Sequence, residues 1–327
     1  MYERFYGLRE RAFELTPDPR YLLLTPAHRE ALGNVDYGIA FRRSCTLLLG
    51  GAGTGKTTIL RTALAAQIDT RGARLQPIYV NNPTLTRQEF LEMVANQVGL
   101  SSEAHASKAR FLREIEAALL ARHARGETTV LVIDEVQSLP AELLEEVRLL
   151  GNIESDTDKL LPVVLAGQPE FAERLNEPGL RQLKQRVALR CTLPPLTPRE
   201  VAAYVAGRLR LAGGDPAAVF TRDAVLAIAH HSGGIPRTIS VICDNALLNG
   251  FALERRPVDE QLVEDVCGDF DLGPAQPGSA LRRDRSPAPD PPRASKIRPF
   301  VTASVSSQQP GGSERTEGSL YREQVGQ

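Results

Sequence analysis

The sequence predicts an α/β protein: a parallel five-stranded sheet between two layers of helices, followed by a small all-α unit. Three observations support this. Apolar strand patterns alternate with helical patterns between residues 45 and 193, and such alternation gives a parallel sheet with right-handed crossovers. In the run from Thr129 to Ile133, every residue after Thr129 is apolar, which is typical of a strand buried on both faces. After Pro195 the strand patterns stop, while helical patterns continue.

The chain before the first strand contains two predicted pieces. From Phe5 to Arg20, aromatic residues are mixed with the prolines of Thr16-Pro17-Asp18-Pro19, which do not fit a helix interior. We expect an irregular segment packed by its aromatic side chains. A helix from Pro26 to Phe41 follows, with Thr25 as its N-cap and proline at its first position.

The predicted elements of the sheet region follow in order. Strands are predicted at residues 45–49, 76–81, 129–133, 161–166 and 187–193, and helices at residues 58–67, 87–98, 108–125 and 141–151. The all-α unit has four helical patterns, at residues 198–212, 222–231, 236–250 and 259–269. Thr197 and Thr221 are its predicted N-caps, and Gly213-Gly214 is a stop signal.

Four segments result from this division. Residues 1–44 form an N-terminal segment, residues 45–195 the α/β core, and residues 196–272 an α-helical lid. Residues 273–327 are rich in proline, serine and arginine. Such a composition buries too little apolar surface to fold, so this tail is predicted to be disordered.

Composition narrows the class of protein. The 327 residues are 42% hydrophobic and 24% charged, with a formal net charge of −1, so bulk charge favours neither nucleic acid nor an anionic membrane. The four cysteines are far apart and are expected to be buried apolar residues. The charged N-terminus does not resemble a signal peptide, and no stretch has the roughly 18 apolar residues of a membrane span. A cytoplasmic location is therefore expected.

The loop at residues 50–57, here called the phosphate loop, carries the strongest signal of chemistry. It lies between a predicted strand and a predicted helix and fits the pattern G-x-x-x-x-G-K-[ST]. Its glycines bring backbone N–H groups close to phosphate oxygens, and the following helix N-terminus adds positive potential. Lys56 is predicted to reach the β- and γ-phosphates of a nucleotide, and Thr57 to hold Mg²⁺. The predicted nucleotide-binding residues of this loop are Gly50, Gly51, Ala52, Gly53, Thr54, Gly55, Lys56, Thr57 and Thr58.

An acidic pair, Asp134 and Glu135, follows the apolar strand 129–133. Ligands of parallel sheets bind outside the carboxyl ends of the strands, which places this pair beside the phosphate loop. Asp134 is predicted to hold Mg²⁺, and Glu135 to polarise the attacking water. The five histidines have no ligand spacing, so no other metal site is expected.

Three further positions are candidates. Gln168, after the fourth strand, would orient the water. An arginine before the fifth strand would reach the γ-phosphate of a neighbouring subunit, and Arg186 is preferred over Arg181. Arg237 stands at the start of a helix in the all-α unit, where a positive side chain is electrostatically disfavoured. A phosphate bound between core and lid would account for it.

This order of motifs resembles that of AAA+ ATPases: Walker A at 50–57, Walker B at 130–135, sensor 1 at Gln168, an arginine finger near Arg186 and sensor 2 at Arg237. The opening is more specific. Phe5-Tyr6-Gly7-Leu8, Leu15-Thr16-Pro17-Asp18-Pro19, His28-Arg29-Glu30-Ala31-Leu32 and Gly234-Ile235-Pro236-Arg237 are similar to general secretion pathway protein A (ExeA-type) ATPases, whose more distant relatives include transposition ATPases of the TniB/TnsC type. The resemblance covers about residues 1–270. It implies that the first 40 or so residues help to enclose the adenine.

The resemblance implies an ATPase that uses Mg²⁺ and forms a homo-oligomer. Its hydrolysis of ATP would drive assembly or a conformational change of a partner complex in a secretion, pilus or exopolysaccharide-type envelope system. The alternative is an ATP-dependent DNA-binding regulator of the transposition type. Secretion-type members carry a membrane span and a peptidoglycan-binding module after the ATPase, and this sequence contains neither. We therefore expect a cytoplasmic protein whose contact with the inner membrane would be made through its partner.

Overall fold

The computed structural model describes residues 1–16, 19–21, 23–71, 74–81 and 84–270. The predicted disordered tail, residues 273–327, lies outside them. Within the described residues the five strands form one parallel sheet in the order β2-β3-β4-β1-β5. The strands are β1 (Cys45–Gly50), β2 (Leu75–Val80), β3 (Thr128–Ile133), β4 (Val163–Gly167) and β5 (Val187–Leu193).

The helices of the first half are α1 (Tyr2–Tyr6), α2 (Pro26–Ala40), α3 (Lys56–Arg71), α4 (Arg87–Val98), α5 (Lys108–Ala124), α6 (Ala141–Leu150), α7 (Glu170–Arg174) and α8 (Arg181–Arg186). Those that follow the sheet are α9 (Pro198–Leu211), α10 (Pro216–Val219), α11 (Arg222–Ser232), α12 (Pro236–Ala252) and α13 (Glu260–Asp269). Among the described residues, no helix is both long and apolar enough to cross a bilayer.

The sheet is covered on both faces, as the apolar strand sequences require. Side chains alternate along each strand. In β3, Val130 and Val132 pack with α2 and α3, whereas Leu131 and Ile133 pack with α4, α5 and α6. All six residues of β1 and of β3 are buried. The prediction of a three-layer α/β/α core with a parallel sheet is confirmed.

Local signals set the helix ends. The hydroxyls of Thr25, Thr197 and Thr221 each accept a hydrogen bond from the backbone N–H three residues later, so all three predicted N-caps are confirmed. Thr197 also forms a capping box with Glu200.

The N-terminal segment is irregular from Gly7 to Thr16 and packed by aromatic side chains, as predicted, but it begins with a short helix. Tyr2 to Tyr6 form a helix that the sequence did not predict. Tyr2, Tyr6 and Phe13 are buried in the same apolar cluster as α9, α11, α12 and α13. The opening of the chain is therefore joined to the helices that follow the sheet, about 200 residues later in the sequence.

Candidate functional site

The phosphate loop connects β1 to α3 in the conformation that its glycines permit. Gly53 and Gly55 have φ of +76° and +100°, in the left-handed region that side chains with a Cβ rarely adopt. The Thr54 hydroxyl donates to Gly51 O at 2.8 Å and closes the loop on itself. This leaves the loop as a concave turn at the N-terminus of α3, where the helix dipole favours an anion.

Lys56 is buried, with 3% of its surface exposed. Its ammonium donates to Gly50 O at 2.9 Å and to Gly51 O at 3.1 Å, and lies 3.9 Å from Glu135 Oε1. Burial lowers the pKa of Lys56, while the Glu135 and Asp134 carboxylates oppose that shift. The loop carbonyls thus hold the ammonium at the loop, where they accept the hydrogen bonds that a phosphate could accept instead.

Asp134 connects two strands and the phosphate loop. It is buried, and its Oδ2 accepts a hydrogen bond from Thr57 Oγ1 at 2.6 Å and another from Tyr79 Oη at 3.2 Å. Its Oδ1 accepts from Glu135 N at 3.0 Å. Burial and the Asp134 carboxylate raise the pKa of Tyr79, so the phenol stays protonated and continues to donate. Sequence reasoning missed Tyr79, because no motif marks a tyrosine near the end of β2.

Glu135 begins a short 3₁₀ turn, Val136–Ser138, with φ 55° and ψ 40°. Its side chain is 41% exposed and faces the space above the loop. Its Oε2 accepts a hydrogen bond of 2.5 Å from Gln137 Nε2. Gln137 is a second residue that sequence reasoning missed, although it stands only two positions after the acidic pair.

The helices after the sheet approach the loop at its open side. Arg237 N, at the start of α12, donates to Gly53 O at 3.2 Å. A Cβ added to Gly53 would lie 2.7 Å from Arg237 Cβ, so the two backbones are in close contact there. The Arg237 side chain is exposed and lines the same space as Lys56.

That space is a cavity of about 360 Å³, here called the central cavity. It is bounded by the phosphate loop, the N-terminal segment, α9 and the start of α12. Its lining residues are Glu14, Leu15, Thr16, Tyr21, Leu23, His28, Gly53, Thr54, Gly55, Lys56, Thr57, Thr58, Glu135, Leu196, Tyr204, Arg208, Pro236, Arg237 and Ser240.

The wall opposite the loop is aromatic and basic. The Arg208 guanidinium lies 5.0 Å from the Tyr21 ring centroid and 4.9 Å from that of Tyr204. It also donates to the carbonyls of Ala12 and Glu14 at 2.9 and 3.3 Å. Arg208 therefore fastens the N-terminal segment to α9. Tyr21 is far from Tyr204 and Arg208 in sequence, and only the resemblance of the first 40 residues pointed to this wall.

His28 joins the N-terminal segment to the phosphate loop. It is buried, and its Nδ1 lies 2.7 Å from Thr25 Oγ1. Its Nε2 is 3.7 Å from the position that a Cβ on Gly55 would take. Burial lowers the pKa of His28, against smaller opposing effects from the Thr54 backbone and Glu200. A neutral imidazole thus packs on the loop.

Gln168 and Arg186 are predicted site residues that do not line the central cavity. Gln168 follows β4, and its N–H donates to Gln137 Oε1 at 3.0 Å. Arg186 immediately precedes β5, whose first residue pairs with the first residue of β1. Arg186 thus lies at the amino edge of the sheet, opposite the phosphate loop, with Glu154 as an electrostatic partner. Arg181, at the start of the same short helix, is exposed.

Comparisons with known proteins agree with this fold. Residues 39–175 match the family model described as an AAA domain. The chain is 41% identical over 252 residues to general secretion pathway protein A of Aeromonas hydrophila. The chain is an AAA+ protein related to general secretion pathway protein A. The match covers 77% of this AAA+ protein but 45% of the curated relative, so the chain spans less than half of that relative's length.

Solved structures of AAA+ proteins share the fold. The ORC2 protein of Aeropyrum pernix, in ADPNP–ADP complexes, superimposes with a TM-score of 0.60 at 20% identity, over 80% of this chain and 72% of that chain. Cdc6p from Pyrobaculum aerophilum gives 0.61 at 17% identity, over 79% and 70%. At these identities the likeness concerns the fold alone.

Proposed function

We propose that this AAA+ protein binds ATP with Mg²⁺ in the central cavity and hydrolyses it. The observation that carries the proposal is the convergence of Lys56, Thr57, Glu135 and Arg237 on one cavity at the carboxyl edge of the parallel sheet. The size of the cavity, about 360 Å³, is within the ordinary range for small-ligand sites.

The nucleotide's phosphates would lie on the loop. The β- and γ-phosphate oxygens would take the place of Gly50 O and Gly51 O as acceptors for the Lys56 ammonium, and the backbone N–H groups at the start of α3 would donate to them. Arg237 would contact the phosphates from the lid side. Its N–H bond to Gly53 O already fixes the start of α12 against the loop.

The donor set beside the loop fits Mg²⁺. Thr57 Oγ1 and Asp134 Oδ2 are 2.6 Å apart, and both are hard oxygen donors of the kind this cation takes in nucleotide sites. When bound, Mg²⁺ neutralises negative charge on the phosphate oxygens. Tyr79 would hold the Asp134 carboxylate in place through its 3.2 Å hydrogen bond.

Hydrolysis would use Glu135 as the general base. A water oxygen forms a bond to the γ-phosphorus, the bond from that phosphorus to the bridging oxygen breaks, and ADP leaves with the bridging oxygen. The proton of the water passes to a Glu135 carboxylate oxygen. Gln168, beyond the same sheet edge, would help to orient the water, and Lys56 would stabilise charge on the γ-phosphate.

The active form would be a homo-oligomer. Arg186 lies at the sheet edge opposite its own phosphate loop, so in our proposal it serves the site of a neighbouring subunit. Residues 45–195 would act as the catalytic core, residues 196–272 as a lid, and residues 1–44 as a segment that packs on the nucleotide. The oligomer would drive assembly or rearrangement of an envelope-system complex, an output suggested by the name of the curated relative.

The experiment is a steady-state ATPase assay of the purified chain, with and without Mg²⁺, beside Lys56→Ala and a matched exposed lysine variant, Lys184→Ala. We expect Mg²⁺-dependent phosphate release that is lost in Lys56→Ala and retained in Lys184→Ala. A wild-type chain that binds ATP but releases no phosphate at any protein concentration would contradict the proposal.

A further inference from the structure

The turn after β3 places the Gln137 side chain between Glu135 and the backbone of Gln168 at the sheet edge. Glu135 is a non-glycine residue in the left-handed region, with φ 55°, an unfavourable conformation that persists only where the surroundings hold it. After it, Ser138 N donates to Glu135 O at 3.0 Å. The turn directs the Gln137 side chain back toward the ends of β3 and β4.

The amide of Gln137 makes two hydrogen bonds that fix its orientation. Its Oε1 accepts from Gln168 N at 3.0 Å, and its Nε2 donates to Glu135 Oε2 at 2.5 Å. A backbone N–H only donates and an ionised carboxylate only accepts. The amide therefore has one orientation that satisfies both neighbours, with its oxygen toward β4 and its nitrogen toward Glu135.

The backbone of the turn is also held. Arg174 Nη1 donates to Gln137 O at 2.9 Å and to Leu139 O at 2.6 Å. Gly167, the last residue of β4, lies so close that an added Cβ would be 2.7 Å from Val136 Cγ1 and 3.0 Å from Gln137 Oε1. The end of β4 and the turn thus form one tightly packed unit.

This arrangement gives the two carboxylate oxygens of Glu135 different partners. Oε2 is held by Gln137, while Oε1 is directed toward Lys56 Nζ at 3.9 Å, on the side where the phosphates would lie. Gln137 itself does not line the central cavity. Its effect on a nucleotide would pass through Glu135.

We propose that Gln137 is a positioning residue for the general base: it orients the Glu135 carboxylate and ties that orientation to the end of β4, where Gln168 stands. The inference rests on the proposed hydrolysis of ATP. It predicts that Gln137 contributes to the chemical step and not to the binding of ATP.

The test compares kcat and KM for ATP in Gln137→Glu, Gln137→Met and the wild type. Gln137→Glu keeps the length of the side chain and the acceptor for Gln168 N, but it cannot donate to Glu135 and brings two carboxylates together. Gln137→Met keeps the length and loses both hydrogen bonds. For both variants we expect kcat to fall at least about 10-fold, with KM and the affinity for ATP changed less than about 2-fold. Gln182→Glu, an exposed glutamine on α8, is the matched control and should behave as wild type.

The outcomes separate the two proposals. If the wild type hydrolyses ATP and either folded Gln137 variant has the same kcat, the positioning role alone is overturned. A fall in kcat accompanied by an equal loss of ATP affinity would also overturn it, because that result indicates general damage to the site. A wild type that binds ATP but does not hydrolyse it would overturn the proposed function and this inference with it.

Discussion

Thr57 Oγ1 donates a 2.6 Å hydrogen bond to Asp134 Oδ2 and so joins the first turn of α3 to the end of β3. The two residues are 77 positions apart in the chain and meet because the carboxyl ends of parallel strands share one edge of the sheet. The bond presents two hard oxygen atoms side by side. It is the feature on which the proposed Mg²⁺ site depends.

Replacing Asp134 by asparagine should weaken Mg²⁺-dependent nucleotide binding. The amide that replaces the carboxylate carries no charge, so the site loses the only negative ligand we assign to it. We expect the Mg²⁺-dependent gain in ATP affinity to drop at least about 10-fold, while binding measured in EDTA should change much less. Titration of a fluorescent ATP analogue with and without Mg²⁺ checks this, with the exposed Asp156→Asn as the control. An Asp134→Asn chain with a full Mg²⁺ response would remove Asp134 from the site.

Gly234 sets the approach of the turn before α12 to Leu196, which lies between β5 and α9. Its φ is +74°, and an added Cβ would lie 2.0 Å from Leu196 O, while Leu196 N donates to Gly234 O at 2.8 Å. Gly234→Ala should therefore lower the free energy of unfolding by about 3 kcal/mol or more.

Gly207 offers the matched control for that substitution. It lies within α9, and nothing stands within 4 Å of an added Cβ, so Gly207→Ala should raise stability by roughly 0.5–1 kcal/mol. Denaturant unfolding of both variants gives the comparison. Equal stabilities for the two alanine variants would contradict the close contact at Leu196.

Acidification should destabilise the chain through His28. Burial lowers its pKa below the ordinary value of 6.5, so the unfolded chain binds a proton more readily than the folded one. The stability contributed by neutral His28 is present above pH 6.5 and is lost as the pH falls through the lower folded pKa. The stability difference between wild type and His28→Asn should shrink between pH 7.5 and pH 5 on this reasoning. A difference that stays constant over the same range would show that His28 does not titrate in this way.

Much of the fold was predictable because its signals are local. The strand 187–193 and the helix 87–98 have the predicted bounds, since proline and N-cap residues mark their ends. The short helices α1, α7 and α10, of 5, 5 and 4 residues, were not predicted, because they are too short to show a helical period. The burial of Tyr2 and Phe13 among α9 to α13 depends on contacts across the whole chain, which no local pattern records.

The residues of the candidate site likewise fall into those with local sequence signals and those without. Lys56 and Glu135 belong to contiguous motifs, and the sheet edge brings those motifs to one cavity. Tyr79, Gln137 and Arg208 act through partners that are distant in sequence or through the geometry of a single turn. Spacing along the chain therefore identified residues that line the cavity better than the residues that hold them in place.

The proposed role of Arg186 can be tested by mixing subunits. Arg186→Ala should lower ATP hydrolysis by assembled subunits at least about 10-fold, since a finger arginine stabilises charge on the γ-phosphate. Arg181→Ala is the matched variant from the same helix and should retain activity; loss of activity there instead would move the role to Arg181.

Complementation makes the test specific to a shared site. Lys56→Ala subunits lack a working site but keep Arg186, so mixing them with Arg186→Ala subunits should recover part of the ATPase activity. Mixtures no more active than the separate variants would argue against a residue supplied by a neighbour.

The most direct test of ATP hydrolysis at this site is a comparison of Glu135→Gln with the wild type. Glutamine keeps the size of the side chain but cannot accept the proton of the attacking water. We expect Glu135→Gln to bind ATP and Mg²⁺ with an affinity within about 3-fold of the wild type and to hydrolyse ATP at least about 100-fold more slowly. Hydrolysis by Glu135→Gln at the wild-type rate would contradict the assignment of Glu135 as the general base.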